Sequence, residues 1–211
     1  MFYKTFTYVI MLIYSNILEC KTLERKDLLM RNQKIITTTV IGLFTAITCI
    51  LGPLSIIIPI SPVPITFTNL AIYFTVIILG WKKGTMSYLV YLLIGFVGVP
   101  VFSGFTAGPA KLLGPTGGYL IGFIFLALIA GYFVDQFPGK IHMYVLGMVI
   151  GTLVTYALGT GWLAFQANMT FQAALFAGVI PYIIGDSIKI AIAAMIGPVI
   201  KKQVKKAGYL K

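Results

Sequence analysis

Two ionisable side chains, Asp186 and Lys189, stand inside a long apolar run from Phe171 to Ile200. Three residues apart on a helix, they share a face, and each partly neutralises the other. A charge at the centre of a bilayer costs about 2.5–3.5 kcal/mol on insertion scales. An ion pair kept only to tie helices together would be outperformed by a leucine, because buried pairs add little net stability. The pair therefore reads as the polar part of a ligand site. Pro181 and Gly185 precede it and loosen the helix there, freeing backbone amide and carbonyl groups. Neutral donors and acceptors gather near the same end of the other segments: Thr66, Thr68, Asn69, Ser103, Thr106, Thr116 and Gln166. Beside them lie the aromatics Phe67, Phe102, Phe105, Tyr119, Trp162 and Tyr182. An apolar cavity with a few placed polar groups is what a small amphiphilic ligand needs. Any single aromatic of this set reads equally well as an anchor at the lipid interface.

Other chemistries lack their residues. The sequence has no GxxxxGK[ST], so it carries no P-loop for ATP, and no HExxH for a zinc protease. The single His142, near one end of an apolar segment, leaves hydrolysis without a base. Cys20 and Cys49 form no CxxC, and no spacing suits a metal, so neither a cofactor nor a metal is expected. A membrane enzyme therefore lacks a catalytic constellation. A solitary secondary transporter coupling ions through Asp186 and Lys189 stays open at this point.

These residues need a membrane to hold them. Of 211 residues, 59% are hydrophobic and only 10% charged, against roughly a quarter charged in a soluble domain. No soluble fold of this length hides so much apolar surface. The net charge of +11 does not point to nucleic acid, because the basic residues collect between apolar runs. Six such runs are drawn at about Ile35–Leu51, Leu70–Leu79, Thr85–Val97, Gly118–Val134, Ile141–Leu163 and Phe171–Ile200. They lack the alternation of barrel strands, so the expected fold is an all-α integral membrane protein of six helices. The second and third runs are short for spans, and a tilt or a broken end is expected there.

Orientation follows from the cations. Lys21, Arg25, Lys26, Arg31 and Lys34 precede the first segment, and Lys82, Lys83 and Lys140 fall in the second and fourth connections. Lys201, Lys202, Lys205, Lys206 and Lys211 follow the last segment, whereas the opposite loops hold only Lys111. Both termini are thus expected in the cytoplasm of a multi-pass cell-membrane protein. The two longer opposite loops, 52–65 and 98–117, are rich in proline and glycine and suit capping or re-entrant structure over a site. Residues 1–29 include an apolar stretch without a cleavage site and are expected to be a dispensable extension. The membrane domain is expected over 30–206 and a basic cytoplasmic tail over 207–211. Small residues Thr38, Gly42 and Ala46 recur every four positions on the first segment and make a flat strip. Such a strip suits either internal packing or a partner helix. The Gly118-xxx-Gly122 and Gly147-xxx-Gly151 strips read as internal packing.

Four motifs in order give the chain a family resemblance. They are Pro62-Val-Pro-Ile-Thr66, Gly98-Val-Pro-Val-Phe102, Gly114-Pro-Thr-Gly-Gly-Tyr-Leu-Ile-Gly122 and Gly185-Asp-Ser-Ile-Lys189. From about Met30 to Lys206 the sequence resembles the BioY family, the biotin-specific substrate-binding (S) components of energy-coupling factor (ECF) transporters. The resemblance implies a six-helix S-component bundle with a biotin pocket near the outer face, capped by the 52–64 loop. It places polar biotin contacts on Asp186 and Lys189, with neighbours from the start of the second segment and the 98–117 loop. The expected site is thus Asp186, Lys189, Asn69, Thr68, Phe102, Thr106 and Tyr182. The family often carries Gln at the position of Thr68 and Asn near Thr106, so shorter hydroxyls here leave a gap or a water. The resemblance also implies partners: biotin, a transmembrane coupling subunit docked on the Thr38, Gly42 and Ala46 strip, and ATPase subunits that supply the hydrolysis.

Overall fold

The structure, a computed structural model, describes residues 34–56 and 63–207. The expected extension 1–29 and most of the basic tail lie outside the described residues. Val40–Lys211 form one compact unit and Met1–Thr39 another, of which the described part, 34–39, is the first turns of a helix. That helix, α1, runs Lys34–Leu51. A short antiparallel pair follows, β1 (Ser55–Ile56) and β2 (Ile65–Thr66), with Ser55 opposite Thr66. Then come α2 (Thr68–Phe96), α3 (Pro109–Leu113), α4 (Gly117–Gln136) and α5 (Ile141–Gln166). The last segment is divided into α6 (Phe171–Gly178), a 3-10 turn (Ile180–Tyr182) and α7 (Ile183–Lys206). The protein is an all-α, multi-pass membrane bundle. Helices satisfy their own backbone polar groups, which hydrocarbon cannot do for them.

The second and third expected segments are one helical element broken at a single residue. Gly80 sits at φ 80° and ψ −179°, and the chain doubles back there. The return helix starts at Trp81 rather than at Thr85, so Lys82 and Lys83 lie on helix and not in a loop. The twelve residues 68–79 span only about 18 Å at 1.5 Å per residue, short of a bilayer core. Within this hairpin Gly84 packs on Val76, where a Cβ would collide. Asp135, near the end of α4, accepts a hydrogen bond from the Trp81 amide at 3.0 Å and closes the turn from outside. The Asp135 carboxylate also fills the place a side chain on Gly80 would take.

The most extensive contact in the fold joins α4 and α5, and its seam is made of small residues. Gly118 and Gly122 meet Trp162 and Thr155, while Gly147 and Gly151 meet Phe133 and Leu126. Both strips therefore pack inside the bundle, as their spacing suggests. The strip on α1 does the opposite. Among the described residues Gly42 has nothing within 4 Å of a Cβ, and Ala46 is exposed; Thr38, in the other unit, is exposed as well. Its inward face instead presents Thr45, whose hydroxyl lies 3.0 Å from that of Ser87 on α2.

The core behind the site is aromatic. Tyr73, Tyr88, Tyr91 and Phe102 are fully enclosed, and each tyrosine hydroxyl has a partner. The 97–116 connection hangs on this core. Tyr91 OH donates to Val101 O at 3.0 Å, and the Phe102 ring packs edge-on against Tyr91. Gly108, at φ 84°, lets its amide reach Gly95 O at 2.8 Å.

Gly80→Ala is expected to destabilise the bundle by about 1–3 kcal/mol, because a left-handed backbone and a blocked Cβ position coincide. Gly42→Ala, at an open position inside a helix, is expected to hold stability or raise it by up to about 1 kcal/mol. Thermal unfolding of both variants in detergent checks the contrast.

Candidate functional site

A single polar network lies at the break in the last segment. Asp186 falls in the first turn of α7, where the positive end of the helix favours a carboxylate. Lys189 follows one turn later; the two residues are 8% and 7% exposed. Lys189 Nζ stands 3.0 Å from Asp186 Oδ1, the only ion pair among the described residues. Pro181 sits in the 3-10 turn, so α6 stops and α7 restarts, as its position implied. The unwound stretch brings Asp186 to the mouth of a new helix rather than the middle of an old one.

Two further helices complete the network. Asn69, in the first turn of α2, donates from Nδ2 to Asp186 Oδ1 at 2.8 Å and accepts from Lys189 Nζ at 3.1 Å. Tyr156, on α5, donates to Asp186 Oδ2 at 2.6 Å. Lys189 also donates to Thr66 O at 2.7 Å, which ties it to β2, and its Nζ sits 5.9 Å from the centre of the Phe67 ring. Thus Lys189 has three acceptors, and both carboxylate oxygens have donors. A buried polar network is stable only when its members are satisfied in this way.

The network borders a cavity whose wall is mostly apolar and polar at one end, the make-up of a small-molecule site. Its polar end is Asn69, Tyr156, Asp186 and Lys189, and its apolar walls include Tyr119, Leu120 and Phe123. Thr152 and Thr155 reach it from α5, while Val63 and Pro64 come from the chain after α1. Tyr182 OH donates to Val63 O, fastening that chain to the 3-10 turn. Val63 and Pro64 belong to the loop expected to cap the site, and its residues 57–62 lie outside the described ones.

Of the residues expected at the site, Asp186, Lys189, Asn69, Thr68 and Tyr182 line the cavity. Phe102 and Thr106 do not. Phe102 is 0% exposed and sits in the core against Tyr91 and Gly95, anchoring its loop. Thr106 is exposed; its hydroxyl donates to Ser103 O at 2.9 Å and its backbone pairs with Phe102. The two residues close a tight turn, and that turn presents Ser103 to the cavity instead. Thr66 and Thr116 also reach the cavity, whereas Gln166 does not and the Trp162 indole is spent on Gly114 O at 2.9 Å.

Sequence reading missed Tyr156, Thr152 and Thr155. They lie inside the fifth apolar run, where hydroxyls look unremarkable because helical threonines bond back to their own turn. Thr152 does so to Met148 O at 2.7 Å, yet it also meets Tyr73 OH at 2.6 Å. The legible signal was three hydroxyls within five residues of a membrane span, on adjacent faces of one helix.

The geometry has counterparts. A model of the BioY family matches residues 24–206. The chain belongs to the BioY family. Its match starts at residue 24, somewhat before Met30. The biotin transporter BioY2 of Lactococcus lactis subsp. cremoris is 34% identical over 168 residues, covering 80% of this chain and 91% of its own. The biotin transporter BioY of Thermotoga maritima is 36% identical over 161 residues, covering 76% and 93%. Among solved structures, the S-component for biotin from an ECF-type ABC transporter superposes with a TM-score of 0.76 at 32% identity. That match covers 81% of this chain and 93% of the solved one. BioY proteins are transporter components rather than enzymes.

Asp186→Leu alone strands Lys189 in the interior and is expected to cost about 3–5 kcal/mol. Adding Lys189→Met removes the stranded charge, so the double variant is expected to unfold at a higher temperature than either single one. Thermal melts of the three variants in detergent check this order.

Proposed function

We propose that this chain captures biotin from outside the cell as the substrate-binding subunit of an ATP-driven ECF uptake transporter. One observation carries the reading. An apolar cavity ends in a charged network from three helices, in a chain sharing 32% identity with a solved biotin S-component. Biotin is an amphiphile of matching character. Its ureido ring offers two N–H donors and one strong carbonyl acceptor, while its sulfur ring and acyl chain are apolar. Asp186 and the Asn69 carbonyl accept from the ureido N–H groups. Lys189 and Tyr156 supply donors to the ureido oxygen. The remainder lies along Tyr119, Leu120 and Phe123, with the biotin carboxylate toward the Ser103 and Thr116 hydroxyls.

The members of the network pair with one another, so biotin exchanges bonds with them rather than filling empty ones. Selectivity then rests on matching two donors and an acceptor together, since a partial match leaves a buried charge unpaired. Asp186→Asn and Lys189→Ala are each expected to weaken biotin binding at least tenfold, the loss of one hydrogen bond to a charged group being about 1.5–3 kcal/mol. Tyr156→Phe is expected to fall in the same direction. Titration of labelled biotin against purified protein checks all three; unchanged affinity in folded Asp186 and Lys189 variants would make the network purely structural.

Both termini face the cytoplasm in this reading. Lys83, Lys201 and Lys205 converge at the end of the bundle where Asp135 lies, and Lys111 belongs to the loops at the site's end. That clustering is what the positive-inside rule requires of an outward-facing site.

The sequence lacks a P-loop, so the energy for release comes from ATPase subunits acting through a membrane-embedded coupling subunit. The outward strip of Thr38, Gly42 and Ala46 is the docking surface, since it lets a partner helix approach closely. Gly42→Trp or Ala46→Trp is expected to leave biotin binding near normal and abolish ATP-dependent uptake in the reconstituted complex. Uptake retained by both variants would put the docking surface elsewhere.

A further inference from the structure

Beyond residue 27 the sequence has only two acids, Asp186 and Asp135, and they sit in different cavities. The second cavity lies under the Gly80 reversal, and its lining includes Leu79, Gly80, Lys83, Asp135, Lys201 and Lys205. Three cations thus face one carboxylate. That carboxylate already accepts the Trp81 amide at 3.0 Å. None of the three lysines forms an ion pair within 4.0 Å among the described residues. Lys201 and Lys205 are also one turn apart on the same face of α7, where like charges repel unless an anion intervenes.

The geometry points to an anion-binding site here, and we infer that it takes the phosphate of an anionic membrane lipid. The net charge of the cavity calls for an anion, and an ammonium cluster is a phosphate binder. A basic pocket between membrane helices at their cytoplasmic ends suits a lipid headgroup. Along α4, Ile121, Phe125 and Tyr132 are exposed on the face of the helix that carries Asp135, a surface along which acyl chains can lie. A free phosphate ion would use the lysines and gain nothing from that flank. The occupant therefore joins the two surfaces, with its phosphate among the lysines and its chains against α4. The lipid would also brace the Gly80 reversal, because the cavity wall includes Gly80 and its Asp135 clasp.

The test uses the full chain, purified in a neutral detergent and titrated with phosphatidylglycerol or phosphatidylcholine, with bound lipid counted by native mass spectrometry. The expected result is at least tenfold tighter binding of phosphatidylglycerol, unaffected by millimolar inorganic phosphate. In K201Q/K205Q that preference is expected to drop at least tenfold, with monodisperse elution confirming a folded protein. Lys83→Gln alone, a milder change, is expected to weaken phosphatidylglycerol several-fold and serves if the double variant does not fold. Equal affinity for the two lipids, or variants that bind phosphatidylglycerol as well as the parent, would overturn the proposal. Displacement of the lipid by inorganic phosphate would assign the site to a free anion and overturn the lipid assignment.

Discussion

A charge cannot be left alone in hydrocarbon, and the organisation of this bundle follows from how it obeys that constraint at Asp186. The carboxylate is held by Lys189, Asn69 and Tyr156, which belong to α7, α2 and α5. Those three helices must therefore meet at one depth, and they meet where α6 gives way to α7. Lys189 extends the tie to Thr66 and so to the strand pair above the cavity. A hydrogen-bonded network that spans three helices and a cap also fixes where the cavity can be. Its worth lies in placement, since buried ion pairs contribute little net stability over apolar packing.

Irregular backbone is concentrated where something covers it. The 3-10 turn before α7 is fastened by Tyr182 to Val63, and the 97–116 connection is fastened by Tyr91 and Phe102 to the aromatic core. At the opposite end, the abrupt reversal at Gly80 is clasped by Asp135. Unpaired amides and carbonyls at membrane depth are tolerated only in such protected settings. The two half-helices on either side of Gly80 are too short to cross a bilayer with ease, and the small-residue seams hold them against longer neighbours. Gly131 on α4 accepts the Trp81 backbone, and Gly197 on α7 accepts Ile77.

The two ends of the bundle are chemically unlike. One encloses a nearly neutral, internally satisfied network with apolar walls, a setting for an uncharged polar ring. The other gathers lysines with one carboxylate and opens beside an exposed apolar face. The outward face of α1 adds a third surface, flat and small, which offers close approach to another helix. Under the proposed function, capture and coupling fall on separate surfaces of the chain.

Composition dictated a membrane protein, because so much apolar surface and so few charges leave no other solvent, and unbroken apolar runs without strand alternation made it helical. The pairing of Asp186 with Lys189, and the break ahead of it, were equally legible, since an ionisable pair and a proline inside an apolar run have few explanations. Asn69 and Thr68 were within reach as neutral polar residues at the start of a span. Phe102 and Thr106, expected at the site, lie off the cavity, because a loop's side chains turn inward or outward according to its hydrogen bonds, here the Tyr91 tether and the Phe102–Thr106 pairing. Tyr156 was hidden by its neighbours. A tyrosine in an apolar span looks like bulk until the fold shows a carboxylate 2.6 Å away, on a helix thirty residues further along. Local sequence fixes what a residue can bond with; only the meeting of distant helices decides which bond it makes.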